Sequence, residues 1–148
     1  MSCNSSSLGC ILVLFALAII KIHARVPTPV ARLNYEMHVI KGDMNTPIVG
    51  SCTSPSHGFT VNFTLNHSDE QVQWQIRLRR NVRAIYVCLL IKNRNERKRV
   101  IVFDQAIDIR ERRCGRTGMC FYKLEEDGIY FADDNVSYNR ELAWDHYN

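Results

Sequence analysis

The chain has 148 residues, a formal net charge of +4 and 46% hydrophobic residues. That length suits one domain with room for a real hydrophobic core. Internal repeats, low-complexity tracts and a second long apolar run are all absent from the sequence, which excludes repeat arrays and multi-span membrane proteins.

Residues 11–20 (ILVLFALAII) form an unbroken apolar run. A bilayer crossing needs roughly 20 apolar residues, so this shorter run suits the h-region of a signal peptide, with a retained anchor as the other reading. Ile22 and Ala24 occupy the two positions that a signal peptidase reads, which predicts cleavage after Ala24 and a secreted, extracellular product. Residues 1–24 are therefore expected to be a leader. Residues 25–34, with Pro27 and Pro29, read as a loose N-terminal tail, and residues 35–148 as the folded domain.

The domain reads as short strands punctuated by Gly, Asn, Asp and Pro, without a helical period. Strands are expected over residues 35–40 and 47–52, then over Phe59–Leu65, where Phe, Val, Phe and Leu alternate with Thr and Asn. Residues 71–78 (QVQWQIRL) give the cleanest period of two. Residues 83–91 are nearly continuous apolar residues around Cys88, the pattern of a central strand covered on both faces. Further strands are expected over 99–107, 119–124 and 129–132, while 141–147 suits a last strand or a turn of helix. Seven or eight strands at this spacing predict an all-β fold, a small antiparallel β-sandwich or barrel.

Beyond the leader, which takes Cys3 and Cys10, four cysteines remain: Cys52, Cys88, Cys114 and Cys120. An even count in a secreted chain reads as disulfides, and no C-x-x-C pair suggests structural zinc. Four cysteines allow three connectivities. A local Cys114–Cys120 loop would leave Cys52–Cys88 as the long-range bridge.

Asn62, Asn66 and Asn135 each head an N-x-S/T acceptor sequon and are candidate glycosylation sites. Asn62 falls on the polar phase of its strand, where a glycan would be solvated.

Charge is unevenly spread. Residues 77–116 carry 13 Lys and Arg against 4 Asp and Glu, whereas residues 123–148 carry 2 against 7. The basic residues fall in three clusters: Arg79, Arg80 and Arg83; Lys92, Arg94, Arg97, Lys98 and Arg99; Arg110, Arg112, Arg113 and Arg116. If the strands run antiparallel in sequence, the first and third clusters share one end of the sandwich beside the Cys114–Cys120 loop. Those seven arginines are the candidate partner-binding residues, suited to an acidic partner or an anionic wall polymer. They are not interleaved with exposed aromatics, so nucleic acid is not the expected partner.

No catalytic constellation assembles. His38, His57, His67 and His146 form neither H-E-x-x-H nor G-x-S-x-G company. His57 and His67 flank the Phe59–Leu65 segment, but a two-histidine nuclease also needs a lysine, and Lys41 and Lys92 are remote. Glu125-Glu126-Asp127 reads as a turn closed by Gly128 rather than as paired catalytic acids or a calcium loop. Trp74 and Trp144 read as packing residues. Neither metal nor cofactor is expected.

In this order, several short motifs resemble the plant self-incompatibility protein family, the S-protein homologues, whose best-known members are the stigma S-proteins of field poppy. They are His38-Val39-Ile40, Cys52-Thr53-Ser54, Gln73-Trp74-Gln75-Ile76, Tyr86-Val87-Cys88, the Cys114 and Cys120 pair, Asp127-Gly128-Ile129-Tyr130 and Trp144. The likeness runs from about Tyr35 to Tyr147. Two departures are visible: Pro55-Ser56-His57-Gly58 replaces the family's acidic-leucine-glycine segment, and Tyr122 stands where a tryptophan is usual. The resemblance implies a secreted β-sandwich with two disulfides that acts as a recognition ligand for a cell-surface receptor or other extracellular protein, in poppy a pistil determinant recognised by pollen. The alternative is an extracellular enzyme or inhibitor on a similar scaffold.

Overall fold

A computed structural model describes residues 34–147; the expected leader and nearly all of the expected tail lie outside these residues. In chain order the elements are β1 (Asn34–Lys41), β2 (Ile48–Ser54), a 3-10 turn (Pro55–His57), β3 (Phe59–Leu65), β4 (Gln71–Arg77), β5 (Ile85–Ile91) and β6 (Glu96–Asp104). There follow α1 (Gln105–Glu111), β7 (Met119–Glu125), β8 (Gly128–Ala132), β9 (Asn139–Leu142) and β10 (Asp145–His146). The strands form two five-stranded sheets, ordered β4-β1-β7-β8-β9 and β10-β6-β5-β2-β3. All pairings are antiparallel except β1 with β7, which run parallel.

The all-β two-sheet expectation holds, and its details change in four places. The β1–β7 pairing is parallel, against the expected antiparallel sandwich, because α1 and the stapled turn carry the chain from one sheet to the other before β7 enters beside β1. The C-terminal segment supplies two short strands, β9 and β10, so the count among the described residues rises to ten. The expected strand over 99–107 stops at Asp104, where a helix begins. Asp104 is extended (φ −128°), and its carboxylate accepts a hydrogen bond from the Ala106 N–H at 3.0 Å, the geometry of an N-cap. Seven helical residues are too few to print a helical period on the sequence. Finally, β5 is covered on one face only: Tyr86, Cys88 and Leu90 are buried, whereas Leu89 is 42% exposed.

The core lies between the sheets. Met37, Val39, Trp74, Ile76, Tyr122, Leu124 and Ile129 from one sheet meet Ile48, Cys52, Leu65, Tyr86, Cys88, Leu90, Val100 and Val102 from the other. The Tyr122 hydroxyl donates across this layer to the Val102 carbonyl at 3.0 Å, so its one polar atom is satisfied. Cys52 and Cys88 form a disulfide between directly paired residues of β2 and β5, tying neighbours in one sheet and facing the core. Cys114 and Cys120 form the second bridge. Among the described residues no helix is long and apolar enough to cross a membrane.

Strand register defines the two ends of the sandwich. Ile85 pairs with Asp104, Ser54 with Phe59, and Arg77 with Asn34. The Pro55–His57 turn, the β4–β5 connection and the α1-to-Cys120 segment therefore emerge together, at the stapled end. The β5–β6 connection and the acidic Glu125–Asp127 turn lie at the far end, where Lys92 joins them.

Candidate recognition surface at the stapled end

The stapled end is built outward from Asp104. Its side chain caps α1 and also receives the Arg83 guanidinium, with Nε at 3.1 Å and Nη2 at 2.9 Å from Oδ1 and Nη2 at 2.6 Å from Oδ2. Hydrogen bonding from Arg83 holds the Asp104 carboxyl below the usual carboxylate range, and the same contact raises the arginine. One turn later the buried Asp108 returns the favour, accepting the Asp104 N–H at 2.5 Å. Burial pushes the Asp108 carboxyl up, opposed by that N–H and by Arg113.

The helix ends at Arg112, which takes the left-handed conformation (φ 52°) and donates its N–H back to Asp108 and Ile109 carbonyls. The chain then turns tightly through Gly115 and Gly118, both at positive φ, so that the Gly118 N–H reaches the Cys114 carbonyl at 3.0 Å. A side chain at Gly115 would meet Asp133. The Gly118 carbonyl accepts from the Glu36 N–H at 2.9 Å, and β7 follows beside β1. The disulfide thus fixes a turn that is already anchored to the sheet.

The seven arginines meet different fates. Arg83 is committed to Asp104. Arg113 turns inward: it pairs with Glu141, lies 3.5 Å from Asp108 Oδ1, and stacks its guanidinium 4.3 Å from the Phe131 ring centre. Arg110 pairs with the neighbouring Glu111 at 2.9 Å in full view of solvent. Arg79, Arg80, Arg112 and Arg116 present exposed residues at the same end. Ile107, on α1, is 41% exposed among them. The second cluster behaves otherwise. Arg97, Lys98 and Arg99 lie within β6 rather than between strands, and Lys92 is buried at the far end, with Nζ 2.6 Å from Glu126 and 3.2 Å from Glu96.

The remaining candidates are scattered. His57 and His67 sit at opposite ends of β3, a seven-residue strand spanning roughly 20 Å, so they do not meet. Ser56 Oγ lies 3.1 Å from His57 Nδ1 but also donates to the Arg83 carbonyl at 3.0 Å, so it accepts from the ring instead of being activated by it. Burial, and then the Arg79 charge, lower the His57 value. His38 is buried against Phe121, ring centres 4.5 Å apart. His146 is exposed at the far end. The three turn carboxylates point to different partners: Glu125 to Lys123, Glu126 to Lys92, and Asp127 to Tyr130 and Arg140. Trp74 and Trp144 are buried, Trp144 donating to the Glu125 carbonyl at 2.9 Å.

Of the sequon asparagines, Asn62 is exposed on β3, Asn66 follows that strand, and Asn135 sits exposed at positive φ in the β8–β9 connection. Among the described residues no group of three or more His, Cys, Asp or Glu is placed to hold a metal ion.

Asp104 fell inside the expected strand over 99–107, and Asp108 entered only the charge count of residues 77–116. The cap was signalled weakly, by aspartate ahead of Gln105-Ala106, and the buried Asp108–Arg113 pair by nothing local.

No curated protein and no solved structure matches the chain significantly. A family model, described as plant self-incompatibility protein S1, matches residues 40–144, from β1 to Trp144. That family is one of self-incompatibility proteins, not a known enzyme family. The match spans both sheets and both disulfides, and so the chain belongs to the plant self-incompatibility protein S1 family.

Proposed function

We propose that this protein is a secreted recognition ligand of the self-incompatibility type, a pistil-side determinant read by a receptor on pollen, and that it has no catalytic activity of its own. The contact surface is the stapled end. The observation carrying this reading is the convergence of Arg79, Arg80, Arg110 and Arg112 with the exposed Ile107 on connections held by a capped helix, a disulfide and the Arg83–Asp104 pair. An exposed apolar side chain at the same end as several exposed arginines suits a partner surface that offers both acidic groups and an apolar depression. Positive charge also steers encounter with an acidic partner, an effect that salt weakens.

The test uses secreted, disulfide-intact protein applied to pollen, with binding to isolated pollen membranes read alongside tube growth. Arg79→Glu, Arg80→Glu, Arg110→Glu and Arg112→Glu combined should abolish binding while circular dichroism stays unchanged. Arg94→Glu with Arg99→Glu, at and near the far end, should leave binding intact. Equal loss from both sets would reduce the interaction to unspecific charge and remove the stapled end as the surface. Absence of binding to pollen of every genotype tested would overturn the pollen partner.

A further inference from the structure

Strand β3 (FTVNFTL) is an edge strand, with β2 as its ladder partner on one side. The unpaired backbone groups on its other side are a template for a strand from another molecule. Proteins ordinarily blunt such edges with a charge, a proline, a bulge or a very short strand. β3 has none of these: it is seven residues long, carries no charge and no proline, and keeps continuous register with β2 from Phe59 to Leu65. An uncharged run of Phe, Val and Thr is also the composition of segments that stack with their own copies. The other edges differ. β4 ends on Arg77, β9 carries Arg140 and Glu141, and β10 has two residues.

The outer face beside this edge carries exposed apolar residues, bordered on β6 by Arg97 and Arg99 opposite Ile91 and Leu89. Val49 is 49% exposed, Leu89 42% and Ile101 54%. Register makes them neighbours: Val49 is opposite Ile91, Ser51 opposite Leu89, and Val87 opposite Ile101. A shallow groove of ≈ 450 Å³ runs beside β3, lined by Val49, Ser51, Asn62, Thr64, Leu89 and Ile91.

The bare edge and the apolar groove meet at Asn62. It stands at mid-strand, exposed, opposite Ser51, with Thr64 on the same face opposite Val49. Asn62-Phe63-Thr64 is an acceptor sequon, so the acceptor amide and the hydroxyl that completes the sequon both lie on the groove side. We propose that Asn62 carries an N-linked glycan that guards the β3 edge against strand pairing and covers the groove with its proximal sugars. Strand spacing places Leu89 roughly 10 Å from Asn62, across β2, within reach of those sugars. Their apolar ring faces match Val49 and Leu89, and their hydroxyls match Ser51, Thr64 and water. The inference rests on the secreted reading above, because N-glycosylation occurs on that route.

The test expresses the full chain, leader included, in plant cells and recovers the medium. Peptide mass spectrometry should find the glycan on Asn62. Asn62→Gln, which lacks the glycan and leaves the edge uncharged, should shift sedimentation from monomer to larger species and raise the fluorescence of 8-anilinonaphthalene-1-sulfonate. Asn62→Lys, which also lacks the glycan but charges the edge, should remain monomeric and still bind the dye. Protein in the medium with Asn62 unmodified would overturn this proposal alone. So would an Asn62→Gln protein that stays monomeric with unchanged dye fluorescence. Protein retained in the cells would overturn the secreted reading as well.

Discussion

Asp104 and Asp108 sit one helical turn apart and hold each other's ground: Asp104 caps α1, and Asp108 accepts the Asp104 N–H at 2.5 Å. Yet their environments push them in opposite directions. Arg83 lowers Asp104, whereas burial raises Asp108.

Opposite shifts give opposite pH dependences. A carboxyl depressed in the folded state contributes stability above its unfolded value, about 3.9, and loses it as pH falls through the folded value. Asp104→Asn keeps a capping oxygen, so it should be less stable than wild type at neutral pH, with the gap closing in acid. A carboxyl raised in the folded state erodes stability as pH climbs from the unfolded value through the folded one. Asp108→Asn should therefore improve relative to wild type as pH rises above about 4. Urea denaturation from pH 2.5 to 7 checks both. Parallel profiles for the two variants would contradict the assignment.

The alternation of residues 71–77 was legible because β4 buries one face and exposes the other, Trp74 and Ile76 inward and the glutamines outward. The apolar run at β5 misled for a physical reason. Val87, Leu89 and Ile91 are outward-facing apolar residues, and composition does not say whether such a face is covered or bare. Helix α1 is too short to declare a period. Its support from Arg83 comes across the β5–β6 register, which local pattern does not encode. The same holds for the recognition surface. Clustering of arginines was visible in the sequence, but the inward turn of Arg113 under Glu141 and Phe131 was not.

The two disulfides should differ in worth. Cys52–Cys88 closes a separation of 36 residues and Cys114–Cys120 one of 6. Chain entropy alone assigns about 4 kcal/mol to the first and about 2.5 kcal/mol to the second. Cys52→Ala with Cys88→Ala should lose more stability in urea than Cys114→Ala with Cys120→Ala. The second pair should instead weaken partner binding, because it loosens the turn beside Arg112 while β2 and β5 stay locked. Reversal of the stability order would show that the short bridge also supports core packing through α1.

Tyr122 offers a sharper test of the core. Its ring is fully buried and its hydroxyl reaches the Val102 carbonyl in the opposite sheet, with burial pushing the phenol well above its ordinary value. Tyr122→Phe keeps the ring and strands the carbonyl, so it should cost about 1–3 kcal/mol. Thermal melting would read this, and binding at the stapled end should be unaffected. A neutral substitution would mean that the carbonyl finds another donor.

Lys92 predicts the alkaline limb. Its side chain is 3% exposed, with Nζ donating to the Glu126 carbonyl at 2.9 Å and paired with Glu96 and Glu126. Burial opposes the charge, but the two carboxylates outweigh it and raise the ammonium above its ordinary value. A raised lysine contributes stability that is fully present below the unfolded value, about 10.4, and is lost as pH rises through the folded one. Lys92→Met fills the same space without a charge and leaves Glu126, 66% exposed, free to solvate. The variant should therefore unfold with a flatter pH dependence above about pH 10 than wild type. Tyrosine ionisation is common to both proteins, so the difference between the two denaturation curves isolates the lysine. Coincident alkaline limbs would mean that Glu96 and Glu126 do not bind the ammonium more strongly in the folded protein than water does in the unfolded chain.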